Sequence, residues 1–209
     1  DDTTFNNTYT ASGSWLPIVT KDLAAGGRKP VDREFAFTLS LQNPQGTYDV
    51  KDTKHNNALG GVVFDALHFT QADIGKTYSY LIEETIPATE EGGMVYSTNK
   101  LTFTIAVTDA GNGELTLRKT ITGGLTTFTN TYTADAAFDI DAEIGVTKVL
   151  DAGGRLLEAD AFSFTLSSTN DDQVNAAQTV RNAANGTVSF ADLSFDQDDI
   201  GKTYIYKVV

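Results

Sequence analysis

Three residues of types that strands rarely bury interrupt apolar stripes in this sequence. In VTKDL, Lys21 alternates with Val19 and Leu23, and in YSYLIEE, Glu84 alternates with apolar residues. In FTNTY, Asn130 lies between two aromatic residues of the same face. Side chains of a strand point alternately to its two faces, so each polar group is predicted to face a core. A buried polar group without hydrogen-bond partners costs about 1–3 kcal/mol, so the fold must supply partners.

Each of these residues also has a purely structural interpretation. A strand lysine near a sheet edge usually extends its amine to water. A strand glutamate usually lies on a solvated face, particularly beside a second one such as Glu83, and a buried asparagine usually bonds the backbone. From each residue alone, both interpretations stay open.

Taken together, a lysine, a glutamate and an asparagine on core faces form a chemical set. Burial lowers the pKa of a lysine and raises that of a glutamate, which favours a neutral amine and a protonated carboxyl. The amine can attack the side-chain amide carbon of the asparagine while the carboxyl polarises the amide oxygen, transfers the proton and releases ammonia. The product is a lysine–asparagine isopeptide bond, and the reaction needs no cofactor because enclosure supplies the effective concentration.

The elements that must position these groups are strands. Apolar and polar residues alternate with period two in FAFTLSL, LTFTIAV, ELTLRKTI and FSFTLSS, and turns such as NPQG and DAGNGE separate such runs. The segments FTQADIGKTY and FDQDDIGKTY each predict one helical turn, because Thr70 with Asp73 and Asp196 with Asp199 form capping patterns. The chain is therefore predicted to be all-β.

An internal repeat with a period of about 125 residues organises the chain. VTKDLAAGGR at 19–28 returns as VTKVLDAGGR at 146–155, and FNNTYTA at 5–11 returns as FTNTYTA at 128–134. Short alternating strands over about 120 residues are typical of an immunoglobulin-like β-sandwich, so we predict tandem immunoglobulin-like β-sandwich domains. The predicted segments are 1–14, the last strand of a preceding repeat plus a linker; 15–133, a complete sandwich; 134–143, a linker; and 144–209, the truncated N-terminal part of the next repeat.

The two incomplete repeats each carry one counterpart of the polar set. Lys148 occupies the position of Lys21, and we expect it to be unpaired because its glutamate and asparagine would fall beyond residue 209. Asn7 occupies the position of Asn130, with its lysine in a preceding repeat. We expect Trp15 to pack the junction between repeats.

Composition excludes several classes of partner and site. The formal net charge of -13 argues against nucleic acid and anionic membrane surfaces as partners. With no cysteine and two histidines, the chain is predicted to have neither disulfides nor a metal site built on these residues. No apolar run has the length of a membrane span, and DDTTFNNT lacks the features of a signal peptide.

The chain resembles the pilin isopeptide-linkage domains of Gram-positive surface proteins, found in streptococcal-type major pilins and in repetitive adhesins. The motifs VTKDL, EFAFTL, DIGKTYSYLIEE, VTDAGNGEL and FTNTY follow one another across the first copy, and VTKVL, AFSFTL and DIGKTYIY follow in the second. The resemblance implies that Lys21 is the linking amine, Asn130 the linking amide and Glu84 the catalytic acid. Glu83 is the competing acid, and strand alternation disfavours it.

The resemblance further implies a mechanical function. We expect a shaft or stalk repeat of an extracellular, cell-wall-anchored pilus or adhesin, crosslinked within each copy, with adjacent repeats of the same polypeptide as partners. Other domains of the parent protein are the expected contacts with a host ligand. Bond formation is a single autocatalytic turnover, so we do not expect an enzyme. The alternative is an adhesin module that binds a host glycan or protein, because end loops of sandwiches often carry binding sites.

Overall fold

Strands built from the period-two segments make up about half of the structure, a computed structural model that describes residues 3–26, 28–89, 91–170, 175 and 177–209. The prediction of an all-β chain with immunoglobulin-like sandwich architecture is confirmed. The chain divides into two compact units, Asp1–Ala24 with Lys29–Tyr132, and Ala25–Arg28 with Thr133–Val209.

The first unit contains two main sheets and a separate strand pair. The strands are β1 (Ser12–Trp15), β2 (Ile18–Ala24), β3 (Ala36–Gln42), β4 (Tyr48–His55), β5 (Gly61–Val63), β6 (Leu67–Thr70), β7 (Thr77–Thr85), β8 (Met94–Val95), β9 (Lys100–Asp109), β10 (Leu115–Gly123) and β11 (Thr127–Tyr132). One sheet has the order β10-β9-β7-β3-β4, the other β5-β2-β11-β8, and β1 pairs with β6. The strands are antiparallel except β2 and β11, which run parallel.

The core of the first unit lies between these two sheets. In β9 the buried side chains alternate with partly exposed ones, as period two predicts. Phe37 of β3 and Phe128 of β11 are fully buried and their ring centroids are 5.2 Å apart, so side chains of the two sheets meet directly. Polar side chains that point into this core are shielded from solvent.

The second unit repeats the order of the first. Its elements are β12 (Asp135–Phe138), α1 (Ile140–Glu143), β13 (Val146–Thr147), β14 (Ser163–Ser168), β15 (Gln178–Arg181), β16 (Thr187–Val188), β17 (Leu193–Asp196) and β18 (Tyr206–Val208). Pairing follows the same scheme, since β12 pairs with β17, β13 with β16, and β14 with both β15 and β18. The strand registers of the two units also match. Leu39 pairs with Ile82 across β3 and β7 of the first unit, and Leu166 pairs with Val208 across β14 and β18 of the second.

Both predicted helical turns are present as 3₁₀ turns, at Gln71–Asp73 and Gln197–Asp199. The Thr70 N–H donates to Asp73 Oδ2 at 2.8 Å, and the Asp196 N–H donates to Asp199 Oδ2 at 2.9 Å. The sequence pattern therefore located these caps correctly.

The assignment of residues 1–14 to a preceding repeat stays a prediction. In the structure FNNTYTA at 5–11 forms no strand, and Asn7 is exposed. The segment attaches to the first unit through side chains such as Tyr9, whose hydroxyl donates to Asp109 at 2.7 Å. Trp15 packs within the first unit, edge-on to Phe103 with ring centroids 5.2 Å apart, and its expected place at a junction between repeats stays a prediction.

A buried asparagine that the sequence reading missed closes one loop in each unit. Asn56 Oδ1 accepts from the Phe35 N–H at 2.7 Å, and Nδ2 donates to the Val31 and Asn57 carbonyls at 2.8 and 2.9 Å. Asn182 makes the same three bonds in the second unit, to Phe162, Glu158 and Ala183. Both residues are about 1% exposed, so each satisfies backbone groups that water does not reach.

We predict that Asn56→Ala lowers the free energy of unfolding by about 2–4 kcal/mol, because it removes three bonds from a buried site. Asn43→Ala is the matched control, since the Asn43 side chain also makes several bonds but in an exposed turn. Its expected cost is below about 1 kcal/mol. Urea denaturation followed by Trp15 fluorescence measures both, and equal losses would contradict the structural role of Asn56.

Candidate functional site

Lys21 points from β2 into the space between the two sheets. Val19, Lys21 and Leu23 are buried while their neighbours along the strand are exposed. The backbone of Lys21 is held by Gly60, whose carbonyl accepts from the Lys21 N–H at 2.7 Å. Gly60 has φ of 83°, and a Cβ there would clash with the Lys21 carbonyl, so this close approach requires glycine.

Glu84 reaches the lysine from the opposite sheet. It lies on β7, where Tyr80, Ile82 and Glu84 are buried on one face. Lys21 Nζ donates to Glu84 Oε2 at 2.9 Å, and neither side chain is exposed to solvent. The carboxylate and the amine thus form a buried pair, an arrangement that requires hydrogen bonds to all remaining polar atoms.

Asn130 completes the group from β11, the parallel neighbour of β2. It is 0% exposed, and its Nδ2 donates to Glu84 Oε1 at 2.8 Å. The structure therefore brings together Lys21, Glu84 and Asn130, with one oxygen of Glu84 on each nitrogen. The register that pairs Phe128 with Lys21 places the two linking residues on adjacent strands.

The orientation of the Asn130 amide differs from the sequence expectation. Asn130 Oδ1 accepts from the Ser97 backbone N–H at 2.7 Å, so Glu84 contacts the amide nitrogen. The expectation that the carboxyl polarises the amide oxygen is therefore wrong. The sequence could not indicate Ser97, because nearly every residue type has a backbone N–H.

The surroundings of the Lys21 amine favour its neutral form. Burial lowers the pKa of Lys21, while the hydrogen bond and charge of Glu84 oppose that shift. The amine also lies 4.4 Å from the centroid of the Phe35 ring. A lowered pKa increases the fraction of unprotonated amine, which is the nucleophilic form.

Glu83, the competing acid, lies on the other side of β7. Its carboxylate pairs with Lys100 Nζ at 2.8 Å, and its side chain is 34% exposed. The strand alternation thus separates the two adjacent glutamates, one into the core and one toward solvent.

Lys148 has part of the same environment in the second unit. Its N–H donates to the Gly186 carbonyl at 2.7 Å, and Nζ lies 4.2 Å from the Phe162 ring centroid. Gly186 has φ of 94° and, like Gly60, would clash with the lysine carbonyl if it carried a Cβ. The second unit therefore repeats the surroundings of the lysine.

A groove of about 820 Å³ in the second unit is lined largely by apolar residues, including Leu166, Phe195 and Tyr206. Tyr206 corresponds by repeat position to Tyr80, which stacks on Phe103 at 5.3 Å in the first unit. The groove residues are thus counterparts of core residues, which gives no support to the alternative of a glycan or protein site there.

Neither a membrane-spanning helix nor a metal cluster is found among the described residues. No helix in these ranges is long and apolar enough to cross a membrane. In the same ranges, no group of three or more histidine, aspartate or glutamate side chains is placed to hold a metal ion.

A two-sheet sandwich with a buried amine, carboxyl and amide defines a class of protein whose strands can be joined by an isopeptide bond. The chain matches the family model described as FctA, Spy0128-like isopeptide containing domain, over residues 17–133 and again over 144–209. It belongs to this family. One similar solved structure is the major pilin protein (T3.2) from Streptococcus pyogenes serotype GAS13637, with 16% identity, a TM-score of 0.34, and coverage of 92% of this chain and 80% of that chain. A search of curated proteins gave no match.

The lowered pKa of Lys21 predicts how pH affects a protein in which this amine is free. The pKa of Lys21 is 10.5 in the unfolded chain and lower in the folded protein, so the unfolded chain binds this proton more tightly. The free energy of unfolding therefore rises with pH between the lowered pKa and 10.5. We expect this rise below pH 10.5 in Glu84→Gln, where burial still lowers the pKa of Lys21.

The matched control is the double variant Lys21→Met, Glu84→Gln, which lacks the amine and is expected to lose that rise. Urea denaturation across the range measures the difference, and intact mass verifies that Lys21 is free in the single variant. Identical pH dependence in the two proteins contradicts the burial argument.

Proposed function

We propose that this chain is part of the shaft of a Gram-positive pilus or adhesin stalk, and that the first unit crosslinks itself between Lys21 and Asn130. The observation that carries the proposal is the buried contact of Glu84 with both linking nitrogens, at 2.9 and 2.8 Å. Membership of an isopeptide-containing family supports it. On this proposal the protein is extracellular and anchored to the cell wall, and adjacent repeats of the same polypeptide are its nearest partners.

The contacts support a direct route for the reaction. The neutral Lys21 amine attacks Cγ of Asn130 and loses a proton to Glu84 Oε2. Glu84 gives a proton through Oε1 to the amide nitrogen, which leaves as ammonia. One C–N bond forms and one breaks, so an amine and an amide become a substituted amide and ammonia. Glu84 ends the turnover unchanged, and the protein acts only once, on itself.

The position of the bond supports a mechanical function. β2 and β11 are neighbouring parallel strands that lie near the beginning and the end of the first unit in sequence, and the bond would join them side by side. Tension would then pass from Lys21 to Asn130 without extending the 108 residues that lie between them in sequence. Closing a loop of this length also stabilises the fold by about 4–5 kcal/mol in the chain-entropy model.

Intact mass spectrometry tests the crosslink. We expect the folded 209-residue protein to weigh one ammonia less than its sequence, and a digest to contain a branched peptide that joins Lys21 to Asn130. In Glu84→Gln, size and hydrogen-bonding capacity are nearly kept but the proton carrier is lost, so the fold should persist while the ammonia loss stops or slows strongly.

Glu83→Gln is the matched control, because Glu83 pairs with Lys100 near the surface and not with the linking residues. We expect normal ammonia loss in this variant. A full sequence mass in the unaltered protein refutes the crosslink, and loss of the reaction in Glu83→Gln alone refutes the assignment of the acid.

A second mass prediction concerns Lys148. In a polypeptide limited to residues 1–209, no residue of the second copy occupies the repeat position of Glu84 or of Asn130, so Lys148 should stay a free amine. We expect the loss of one ammonia only, and reductive methylation should modify Lys148 but not Lys21. Loss of a second ammonia, or a branched peptide containing Lys148, contradicts this expectation.

A further inference from the structure

We propose that the backbone N–H of Ser97 is the oxyanion donor for bond formation at Asn130, and that Asn99 is the residue that positions it. This inference rests on the proposed crosslink between Lys21 and Asn130. It begins with the 2.7 Å hydrogen bond from the Ser97 N–H to Asn130 Oδ1. A backbone N–H can only donate, so it selects the amide oxygen and turns the leaving nitrogen toward Glu84.

The N–H lies where negative charge develops during the reaction. As Lys21 Nζ bonds to Cγ of Asn130, the C=O electron pair moves to Oδ1. When that pair re-forms the double bond, the C–N bond to Nδ2 breaks and ammonia leaves with the proton carried by Glu84. A fixed dipole in a site without water stabilises such an oxyanion strongly, and removal of one donor of this kind slows acyl transfer by about 10²–10³.

Ser97 lies outside the regular ladder, so something else must orient its N–H. The residue follows β8 and precedes β9, and it belongs to neither strand. Asn99 ties this loop to the segment that leads into β11. Its Nδ2 donates to the Leu125 carbonyl at 2.8 Å and to the Thr127 carbonyl at 3.2 Å. Its Oδ1 accepts from the Leu125 N–H at 3.0 Å.

The other end of the loop is also fixed to β11, because Val95 of β8 pairs with Thr131. The donor and the amide oxygen are therefore attached to the same strand, on both sides of Asn130. This attachment keeps the Ser97 N–H in place as charge develops, which is the condition for electrostatic stabilisation of a transition state. Asn99 acts through the backbone of Ser97, so its role is positioning.

An amide-to-ester replacement at Ser97 tests the donor, since it removes the N–H and keeps the side chain. The full 209-residue chain is assembled by chemical ligation in denaturant, so that the reaction starts on dilution into buffer, and intact mass follows ammonia loss with time. We expect the rate to fall by about 10²–10³. The same replacement at Thr98, an exposed neighbour, is the control and should react at the rate of the unaltered chain.

The outcomes separate the two proposals. If the unaltered chain loses no ammonia, the crosslink itself is refuted. If it reacts and the Ser97 ester reacts equally fast while folded, as judged by circular dichroism, only the oxyanion donor is refuted.

Asn99→Ala provides a second test that does not depend on the folding of the ester. We expect slower ammonia loss together with an upfield shift of the Ser97 amide proton, measured by NMR in the unlinked Glu84→Gln protein. The indole signal of Trp15, in another part of the first unit, should not move. An unchanged rate, or a slower rate with an unshifted Ser97 amide, overturns the positioning role.

Discussion

The burial of an amine, a carboxylate and an amide between two sheets is the constraint on which the first unit depends. Any one of these groups alone in the core would carry a desolvation penalty of several kcal/mol. Here Glu84 bonds both nitrogens, and the Ser97 N–H satisfies the amide oxygen. The group is stable only if β2, β7, β11 and the loop before β9 hold their relative positions, so the contacts that satisfy the core also define the geometry of the site.

Local contacts that are hard to recognise in the sequence hold those positions. Gly60 lets the chain approach the Lys21 carbonyl, and Asn56 closes the loop beside Phe35, whose ring lies under the amine. The second unit repeats these contacts at Gly186 and Asn182. The lysine side of the site is therefore built by the first half of each unit, whereas the carboxylate and the amide come from strands later in the chain. Folding of the later strands onto the earlier ones brings the three polar groups together.

The strand topology bears on the proposed mechanical function. Parallel neighbours such as β2 and β11 resist pulling along their length through several hydrogen bonds that must break together. A covalent bond between Lys21 and Asn130 would replace that limit with the strength of an amide. It would also remove the buried lysine amine, which becomes part of a neutral amide whose one N–H can still donate to Glu84, while the amide nitrogen of Asn130 leaves as ammonia. The proposed product is thus better suited to the core than its precursors.

The sequence by itself determined the strand faces and the repeat, because alternation is a local property that each strand carries in its residue types. From this, Lys21, Glu84 and Asn130 could be placed on core faces, and Glu83 on the opposite one. The tertiary structure alone decided which groups meet and how. It oriented the Asn130 amide oxygen toward the Ser97 N–H. Backbone donors are nearly the same in every residue, so only the packing of the chain shows which one faces this amide oxygen.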